Sequence, residues 1–207
     1  MAFSQHYMWC LRKDPITGEK IKIFGELLLP AGAETAAFVH ITFPTVVLAH
    51  DTHTTHTALA PLAEVLADHG VVTYAIDFCG TEGGKSDAGD FSCAMESRVA
   101  DLMSAVTLMQ EEPFCDTENL SLVTYGDAAA VGAAYVAQHG DVLKSMACVA
   151  PAPYVQDGQE HMLYAEPDQG GVEVHTFEDA GGDLEDVAPE VLTFIKDQIL
   201  RRKRAEA

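Results

Sequence analysis

Short apolar runs alternate with segments of helical periodicity from residue 45 to residue 150, and this alternation constrains the fold more than any other feature. Residues 45–49 and 71–76 are continuous apolar runs, which are typical of strands that are covered on both faces. Between them, residues 57–69 repeat apolar side chains at helical spacing and stop at Gly70. The alternation predicts an α/β fold, a three-layer sandwich around a mostly parallel, twisted sheet.

The remaining segments extend this pattern in both directions. Residues 6–12 and 20–29 favour strands, and the turn residues between them predict an N-terminal hairpin. A helix over 128–139 must pack closely on the sheet, because this segment is rich in alanine and glycine. We also predict strands over 120–125, 142–150, 161–166 and 172–177, helices over 94–110 and 187–204, and a single domain over 1–207. The strands 161–166 and 172–177 either form a hairpin through Pro167–Gly171 or have lost a crossover helix.

Acidic residues greatly outnumber basic ones in this chain. There are 32 Asp and Glu residues against 12 Lys and Arg residues, which gives a net charge of −20. Such a chain repels phosphate backbones, so the charge argues against general nucleic-acid binding. The stretch 157–190 carries eleven acidic residues and no Lys or Arg. It is either a solvated acidic face or a docking surface for a basic protein partner.

The sequence also bears on compartment and cofactors. No apolar run approaches the length of a membrane span. The five cysteines are widely spaced and include no C-x-x-C pair, which favours reduced thiols over disulfides or a zinc site. The glycine-rich stretch 80–89 lacks the order of a phosphate-binding loop. We expect a soluble intracellular protein of a reducing compartment, the cytoplasm or an organelle matrix, without a cofactor.

Several stretches, taken in order, resemble the α/β-hydrolase superfamily, in particular its small lidless esterases and dienelactone-hydrolase-like members. The hairpin that leads to Leu28–Pro30 is similar to the opening strands of that family, and 45–50 is similar to its third strand, which normally ends in His-Gly. Residues 62–72 resemble its first helix and the next strand, and 77–86 resemble its D-x-x-G-x-G-x-S loop. The resemblance implies an α/β-hydrolase fold with a shortened C-terminal part and no lid.

In this family the nucleophile lies on a tight turn between a strand and a helix, the G-x-S-x-G elbow. The corresponding stretch here is 124–129, and counting from both flanks places Gly126, which has no side chain, at the nucleophile position. A shift of one residue instead makes Asp127 the nucleophile, as in the dehalogenases and epoxide hydrolases of the superfamily. The structural alternative for Asp127 is a helix N-cap.

The resemblance also locates the histidine and the acid of the family's triad. The loop before the final helix, 177–186, contains no histidine, and His175 precedes it at a position that favours a strand face. Asp168 stands near the place of the triad acid, but in a stretch that favours a hairpin turn. If the protein is active, Asp127 and Asp168 are the candidate catalytic residues.

The loop after the strand 45–49 is rich in histidine. His50, His53 and His56 are spaced three apart and are candidate metal ligands, with a polar loop that contains one structural histidine as the alternative. In parallel sheets, ligands bind where the carboxyl ends of the strands meet. We therefore predict that a small ligand would bind at His50, Asp51, Phe78, Gly126 and Asp127.

Because the elbow lacks a nucleophile and the final loop lacks a histidine, the sequence favours a catalytically degenerate pseudo-hydrolase. Its expected role is that of a structural or protein-interaction subunit of a larger assembly. Two alternatives stay open: a small-ligand-binding module, and a carboxylester or lactone hydrolase with Asp127 or Thr124 as a non-standard nucleophile.

Overall fold

The computed structural model describes residues 3–15, 17–36, 41–87, 94–156, 158–161, 171–178 and 183–205. The first two strands form the antiparallel hairpin that the sequence predicts, β1 (Phe3–Lys13) with β2 (Lys20–Pro30). The turn between them is closed by the Gly18 amide, which donates to the carbonyl of Asp14 at 2.9 Å. Gly18 adopts a φ of +74°, a conformation that other residues rarely take.

A mostly parallel sheet runs through the centre of the molecule. Within the described residues seven strands form it, in the order β1-β2-β4-β3-β5-β6-β9, and all pairs from β4 to β9 are parallel. In this sheet β2 pairs antiparallel with both of its neighbours, β1 and β4. A separate small hairpin joins β7 to β8. The remaining strands are β3 (Phe43–Ala49), β4 (Val72–Ile76), β5 (Cys115–Tyr125), β6 (Ser145–Val149), β7 (Tyr154–Gln156), β8 (Gln159–His161) and β9 (Glu173–Phe177).

Helices cover both faces of this sheet, as predicted. Successive side chains of a strand point to opposite faces, so Val46 packs in one layer and Val47 in the other. The layer that contains Val46 includes α2 and α5, and the layer that contains Val47 includes α3 and α4. The helices are α1 (Ala33–Ala36), α2 (Ala60–Asp68), α3 (Met95–Glu111), α4 (Ala128–His139) and α5 (Leu184–Ala205).

Helix α4 lies close to the sheet, as its alanine and glycine content predicts. A Cβ atom added to Gly132 would lie 2.4 Å from Cε of Met146 and 2.8 Å from Cγ2 of Thr124. Both of these residues belong to the strands under the helix. The small side chains therefore set the distance between the helix and the sheet.

The structure corrects several boundaries. The segment 56–59 is a 3₁₀ turn that precedes α2, β5 begins five residues before the predicted 120, and 140–142 is a second 3₁₀ turn before β6. Strand β9 pairs in parallel with β6, so the connection between them spans residues 150–172. Of the predicted strand 161–166, the structure describes only residue 161, which ends β8. The described residues also leave out most of the predicted turn, including Asp168.

Among the described helices, none is long and apolar enough to cross a membrane.

A buried ionic network joins the hairpin to α3. The guanidinium of Arg12 contacts the carboxylate of Asp101 through Nε, and donates through its other nitrogens to Asp14 Oδ2 at 3.1 Å and to Ser97 Oγ at 2.6 Å. The second oxygen of Asp101 accepts from the Cys79 amide at 2.8 Å. Burial raises the pKa of Asp101 to about 6, and the neighbouring guanidinium of Arg12 opposes this shift.

Candidate functional site

The loops that follow β3, β4 and β5 meet at the carboxyl edge of the sheet. Gly126 connects β5 to α4 at a sharp turn, where the sequence places it, and its φ is +62°. Its amide donates to the carbonyl of Val149 at 3.0 Å, and its carbonyl accepts from the amides of Ala129 and Ala152 at 3.2 and 3.1 Å. The turn therefore has the backbone of an elbow and is fixed from both sides, but it presents no side chain.

The side chain of Asp51 covers this turn. A Cβ atom added to Gly126 would lie 2.6 Å from Cβ of Asp51 and 2.9 Å from its Oδ2, closer than real Cβ contacts come. The other carboxylate oxygen of Asp51 accepts from the amide of His53 at 2.7 Å, which fixes the side chain in this position. The space in which a nucleophilic side chain would begin is therefore filled by a carboxylate from the neighbouring loop.

Asp127 is the residue after the turn, and its carboxylate binds the loop that follows β3. Its Oδ1 accepts from the amide of Thr52 at 2.8 Å, and its Oδ2 accepts from the hydroxyl of the same residue. The side chain is only 8% exposed. Asp127 occupies the N-cap position of α4, as the structural alternative predicts, but its carboxylate makes no capping hydrogen bond. Thr52, which no sequence pattern indicated, donates hydrogen bonds to both carboxylate oxygens instead.

His50 is completely buried, and both of its ring nitrogens are used within the fold. Nε2 accepts from the amide of Phe78 at 3.1 Å, so Nδ1 carries the proton and donates to the carbonyl of Asp51 at 2.6 Å. The rings of His50 and Phe78 meet edge to face at 5.2 Å. Burial lowers the pKa of His50, which keeps the imidazole neutral. This histidine therefore supports the loops of the site as a structural residue.

Asp77 anchors the loop that follows β4. Its Oδ1 accepts from the amide and the Nδ1 of His56 at 2.7 and 2.8 Å, and its Oδ2 accepts from the amide of Lys85 at 2.8 Å. Burial acts to raise the pKa of Asp77, but the hydrogen bonds from His56 and Lys85 outweigh it and hold the pKa below its ordinary value. The carboxylate thus ties the loop 77–85 to the start of the 3₁₀ turn.

The three histidines proposed as metal ligands are not assembled into one site. His50 and His56 are buried in separate hydrogen-bonded positions, and His53 is exposed. In the part of the chain that the structure describes, no group of three or more His, Cys, Asp or Glu side chains is arranged to hold a metal ion.

His175 lies on the surface of β9, in agreement with the predicted strand-face position. Its ring is stacked on Phe194 at 5.4 Å and meets Phe177 edge to face at 4.6 Å. These contacts are with β9 itself and with α5.

The five residues predicted to bind a small ligand differ in their exposure. His50 and Phe78 are fully buried, whereas Asp51 and Asp127 lie around Gly126.

Several solved structures with a similar arrangement of strands and helices are named as esterases or hydrolases. Est1E from Butyrivibrio proteoclasticus, solved with ferulic acid bound, superposes with a TM-score of 0.67 at 15% identity over 93% of this chain and 99% of that chain. The protein has the α/β-hydrolase fold. The α/β hydrolase GrgF from Penicillium sp. sh18 gives a TM-score of 0.58 at 19% identity, over 72% of this chain and 46% of that chain. DcsB, solved in complex with its substrate analogue, gives 0.56 at 20% identity over 72% and 45%.

These likenesses concern the fold, because all of the identities are low. The chain spans less than half the length of GrgF and DcsB. No family model and no curated protein sequence matches it. Any chemistry of the protein therefore depends on the residues of the site itself.

Proposed function

We propose that this single α/β-hydrolase-fold domain is a non-catalytic protein that acts as a structural or interaction subunit of a larger assembly. The observation that carries the proposal is the contact between Asp51 and Gly126. The backbone of the elbow is present, but the place of the nucleophile is filled by a fixed carboxylate.

The electrostatics of the turn support the same conclusion. Acyl transfer in this fold requires backbone N–H groups from the residue after the nucleophile and from the loop after β3, which bind the developing oxyanion. Here the Thr52 amide of that loop donates to the Asp127 carboxylate. Asp51 and Asp127 place two acidic groups where an anion would form, and two such groups disfavour an anion at that place.

A hydrolase with Asp127 as nucleophile is the second candidate, because enzymes of this fold are among the structural neighbours. One of them, an epoxide hydrolase from Vigna radiata, superposes with a TM-score of 0.51 at 15% identity over 74% of this chain and 40% of that chain. Turnover at Asp127 would require its carboxylate to leave both hydrogen bonds with Thr52. His53, which neighbours Thr52 in the loop after β3, donates its backbone amide to Asp51.

The partner that the acidic stretch 157–190 favours is a basic protein. The described acidic residues at the start of α5 and just before it are exposed, and they are Glu178, Asp183, Glu185, Asp186 and Glu190. Exposed charge of one sign steers a partner of the opposite charge and sets the orientation of binding. The four described cysteines, which are free and buried, agree with a reducing compartment. The proposal includes no cofactor.

The test compares hydrolysis of p-nitrophenyl acetate and butyrate by the wild-type protein and by Asp127→Asn. Asparagine keeps the shape: its Oδ1 can accept from the Thr52 amide and its Nδ2 can donate to the Thr52 hydroxyl oxygen. It removes the nucleophilic carboxylate, so the variant is a matched control for folding. We expect no hydrolysis above that of the heat-denatured protein in either sample. A wild-type rate that Asp127→Asn abolishes would establish the enzyme instead. Recovery of the tagged protein from its own cells with a fixed set of proteins is expected, and a lone monomer would contradict the subunit role.

A further inference from the structure

The outer face of the N-terminal hairpin carries exposed apolar side chains. Trp9, the single tryptophan of the chain, is 53% exposed, Tyr7 is 52% exposed and Leu11 is 65% exposed. They alternate along β1 and therefore lie on one face, where the ring centres of Tyr7 and Trp9 lie 5.5 and 5.2 Å from that of Phe24. We call Tyr7, Trp9 and Leu11 the apolar strip. Contiguous exposed apolar residues of this kind are typical of interaction surfaces.

The strand that carries the strip also has an unpaired edge. Strand β1 is the last strand on its side of the sheet, and within the described residues no strand pairs with its outer edge. On β2, the backbone groups of Lys22 and Phe24 bond to the loop that follows β4, on the side away from β1. These two residues lie opposite Leu11 and Trp9. In an antiparallel pair, facing residues point their backbone groups in opposite directions at such positions, so Leu11 and Trp9 direct their N–H and C=O groups to the outer edge.

Charge is distributed unevenly along the hairpin. Its turn carries three exposed lysines and two acidic neighbours, and these five residues are Lys13, Lys20, Lys22, Glu19 and Asp87. Its open end carries two acidic residues. They are Glu26, which lies opposite Tyr7 and contacts the Gln5 amide, and Glu34, whose carboxylate accepts from the Ser4 hydroxyl. The turn is therefore the more basic end of the hairpin, and the open end is the more acidic one.

The edge as a whole is nearly neutral. Between its two ends, Lys85 holds its Nζ 4.8 Å from the Tyr7 ring centre, and Glu111 lines the α3 side. With the residues of the two ends, four lysines and five acidic residues border the hairpin, although the net charge of the chain is −20. Most of the negative charge thus lies elsewhere in the chain, and at physiological ionic strength charges more than about 8 Å apart are largely screened. This edge therefore repels a second copy of the chain less than the net charge indicates.

We propose that two copies of this chain pair through the outer edge of β1, so that their sheets join into one continuous sheet. The two β1 strands run antiparallel about a two-fold axis at Trp9, which therefore faces Trp9 of the second copy. In this register Tyr7 faces Leu11 of the second copy, and the two apolar strips lie side by side. Backbone pairing and burial of the strips supply the affinity. The proposal goes beyond the function proposed above and does not depend on it.

This register joins unlike charges. Lys13 faces Gln5 of the second copy, whose amide contacts the carboxylate of Glu26. Because the strands run in opposite directions, the basic turn of each hairpin meets the acidic open end of the other. Glu111 lines the groove beside Trp9, so it approaches its own copy near the axis and opposes pairing there. The two pairs of unlike ends favour a second copy as the occupant, and they favour the antiparallel arrangement over a parallel one.

A groove beside β1 accommodates side chains from the other face of the added strand. It has a volume of about 390 Å³, lies between β1 and α3, and is lined by residues that include Cys10, Met103 and Leu108. Met103, on the helix side, is 42% exposed. In the proposed register Met8 of the second copy lies opposite Cys10, so its side chain is on the α3 side of the sheet. An apolar side chain of each copy thus enters the groove of the other.

Sedimentation velocity of the purified full-length protein tests the proposal, at concentrations from about 1 to 300 µM and an ionic strength of about 0.15 M. We expect reversible association to twice the chain mass of 22.2 kDa, with a blue shift in the emission of Trp9, the only tryptophan. Leu11→Lys places a charge in the strip, and Leu11→Pro removes an outward N–H that β2 does not use, so each should weaken association at least about tenfold. The matched control is Val155→Lys, at a residue that is 55% exposed on β7, and it should change the dissociation constant less than about twofold.

Exchange of charges tests the register. Lys13→Glu should weaken association about 3–10-fold, whereas Lys196→Glu, at an exposed position of α5, changes the net charge equally and should have an effect below about twofold. Gln5→Lys added to Lys13→Glu should restore association, because it places a positive charge opposite the new carboxylate. Val155→Lys added to Lys13→Glu gives the same net charge and should not restore it.

Several results would overturn the proposal. They are a chain that stays monomeric over the whole concentration range, and a dimer that both variants of Leu11 leave unchanged. A different protein that binds this edge while the free chain shows no self-association would overturn it as well. Far-UV circular dichroism verifies that each variant is folded, and if Leu11→Pro is not, Leu11→Lys decides. None of these measurements depends on chemistry at Gly126, so they leave the proposed non-catalytic role to its own test.

Discussion

Replacement of Gly126 by serine, the residue that an active elbow carries, should destabilise this protein. Two costs follow from the structure. The φ of +62° is left-handed, and a residue with a side chain pays about 1–2 kcal/mol there. The new Cβ would also lie 2.6 Å from Cβ of Asp51, and an overlap of this kind in a packed region costs about 1–3 kcal/mol. We therefore expect Gly126→Ser to lower the free energy of unfolding by about 2–5 kcal/mol.

Urea unfolding, followed by far-UV circular dichroism, separates the two costs. Gly70→Ser measures the backbone cost alone, because Gly70 has a φ of +87° and an added Cβ there meets nothing within 4 Å. Asp51→Gly removes the overlapping side chain together with its bond to the His53 amide, a loss of about 1 kcal/mol. In the double variant the overlap is absent, so the double-mutant cycle should show a favourable coupling of about 1–3 kcal/mol.

Either of two results would contradict the contact between Asp51 and the turn. If Gly126→Ser costs no more than Gly70→Ser, Asp51 does not fill the place of the nucleophile. If the effects of Gly126→Ser and Asp51→Gly add within about 0.5 kcal/mol, the two residues are not in contact.

Three further predictions concern the core and the loops. Arg12→Leu should cost about 3–5 kcal/mol in urea unfolding because it leaves a buried carboxylate unpaired, whereas the exposed neighbour Lys13→Leu should stay within about 0.5 kcal/mol; equal costs would contradict the buried network. Gly132→Ala should lower the free energy of unfolding by about 1–3 kcal/mol, because the added methyl group overlaps Met146. In the presence of Met146→Ala the cost of Gly132→Ala should be smaller, and losses that simply add in the double variant would contradict this contact. Burial lowers the pKa of His50 below its ordinary 6.5, so the unfolded chain binds more protons at this residue than the folded chain does. The contribution of His50 to the free energy of unfolding is therefore complete above pH 6.5 and is lost as the pH falls. His50→Gln should flatten this part of the dependence of the free energy of unfolding on pH.

Local patterns in the sequence predicted most of the strands and helices of the fold. The runs 45–49 and 71–76 read as strands because both of their faces are apolar, and β3 and β4 occupy them. The position of Gly126 followed from counting along the adjacent strand and helix, since the length of each element is a local property. The same is true of α4, whose small side chains predicted its close approach to the sheet.

Contacts between distant residues were not predictable in this way. Nothing near Asp51 in the sequence indicates that its side chain covers Gly126, because the contact depends on how two loops meet across the sheet edge. The burial of Arg12 depends in the same way on Asp101 of α3. The strand that pairs with β9 was also not predictable, because parallel pairing with β6 has no signature in the sequence of either strand.

The proposal that the turn at Gly126 carries out no chemistry is tested most directly by the masses of the peptides that contain Asp51, Thr124 and Asp127, after incubation of the protein with p-nitrophenyl acetate and, separately, with an aryl glycidyl ether, which esterifies nucleophilic carboxylates. We expect no adduct on Thr124, Asp51 or Asp127, whether the folded or the urea-unfolded protein is treated. A stoichiometric adduct on one of these residues, formed by the folded protein and absent from the unfolded one, would contradict it.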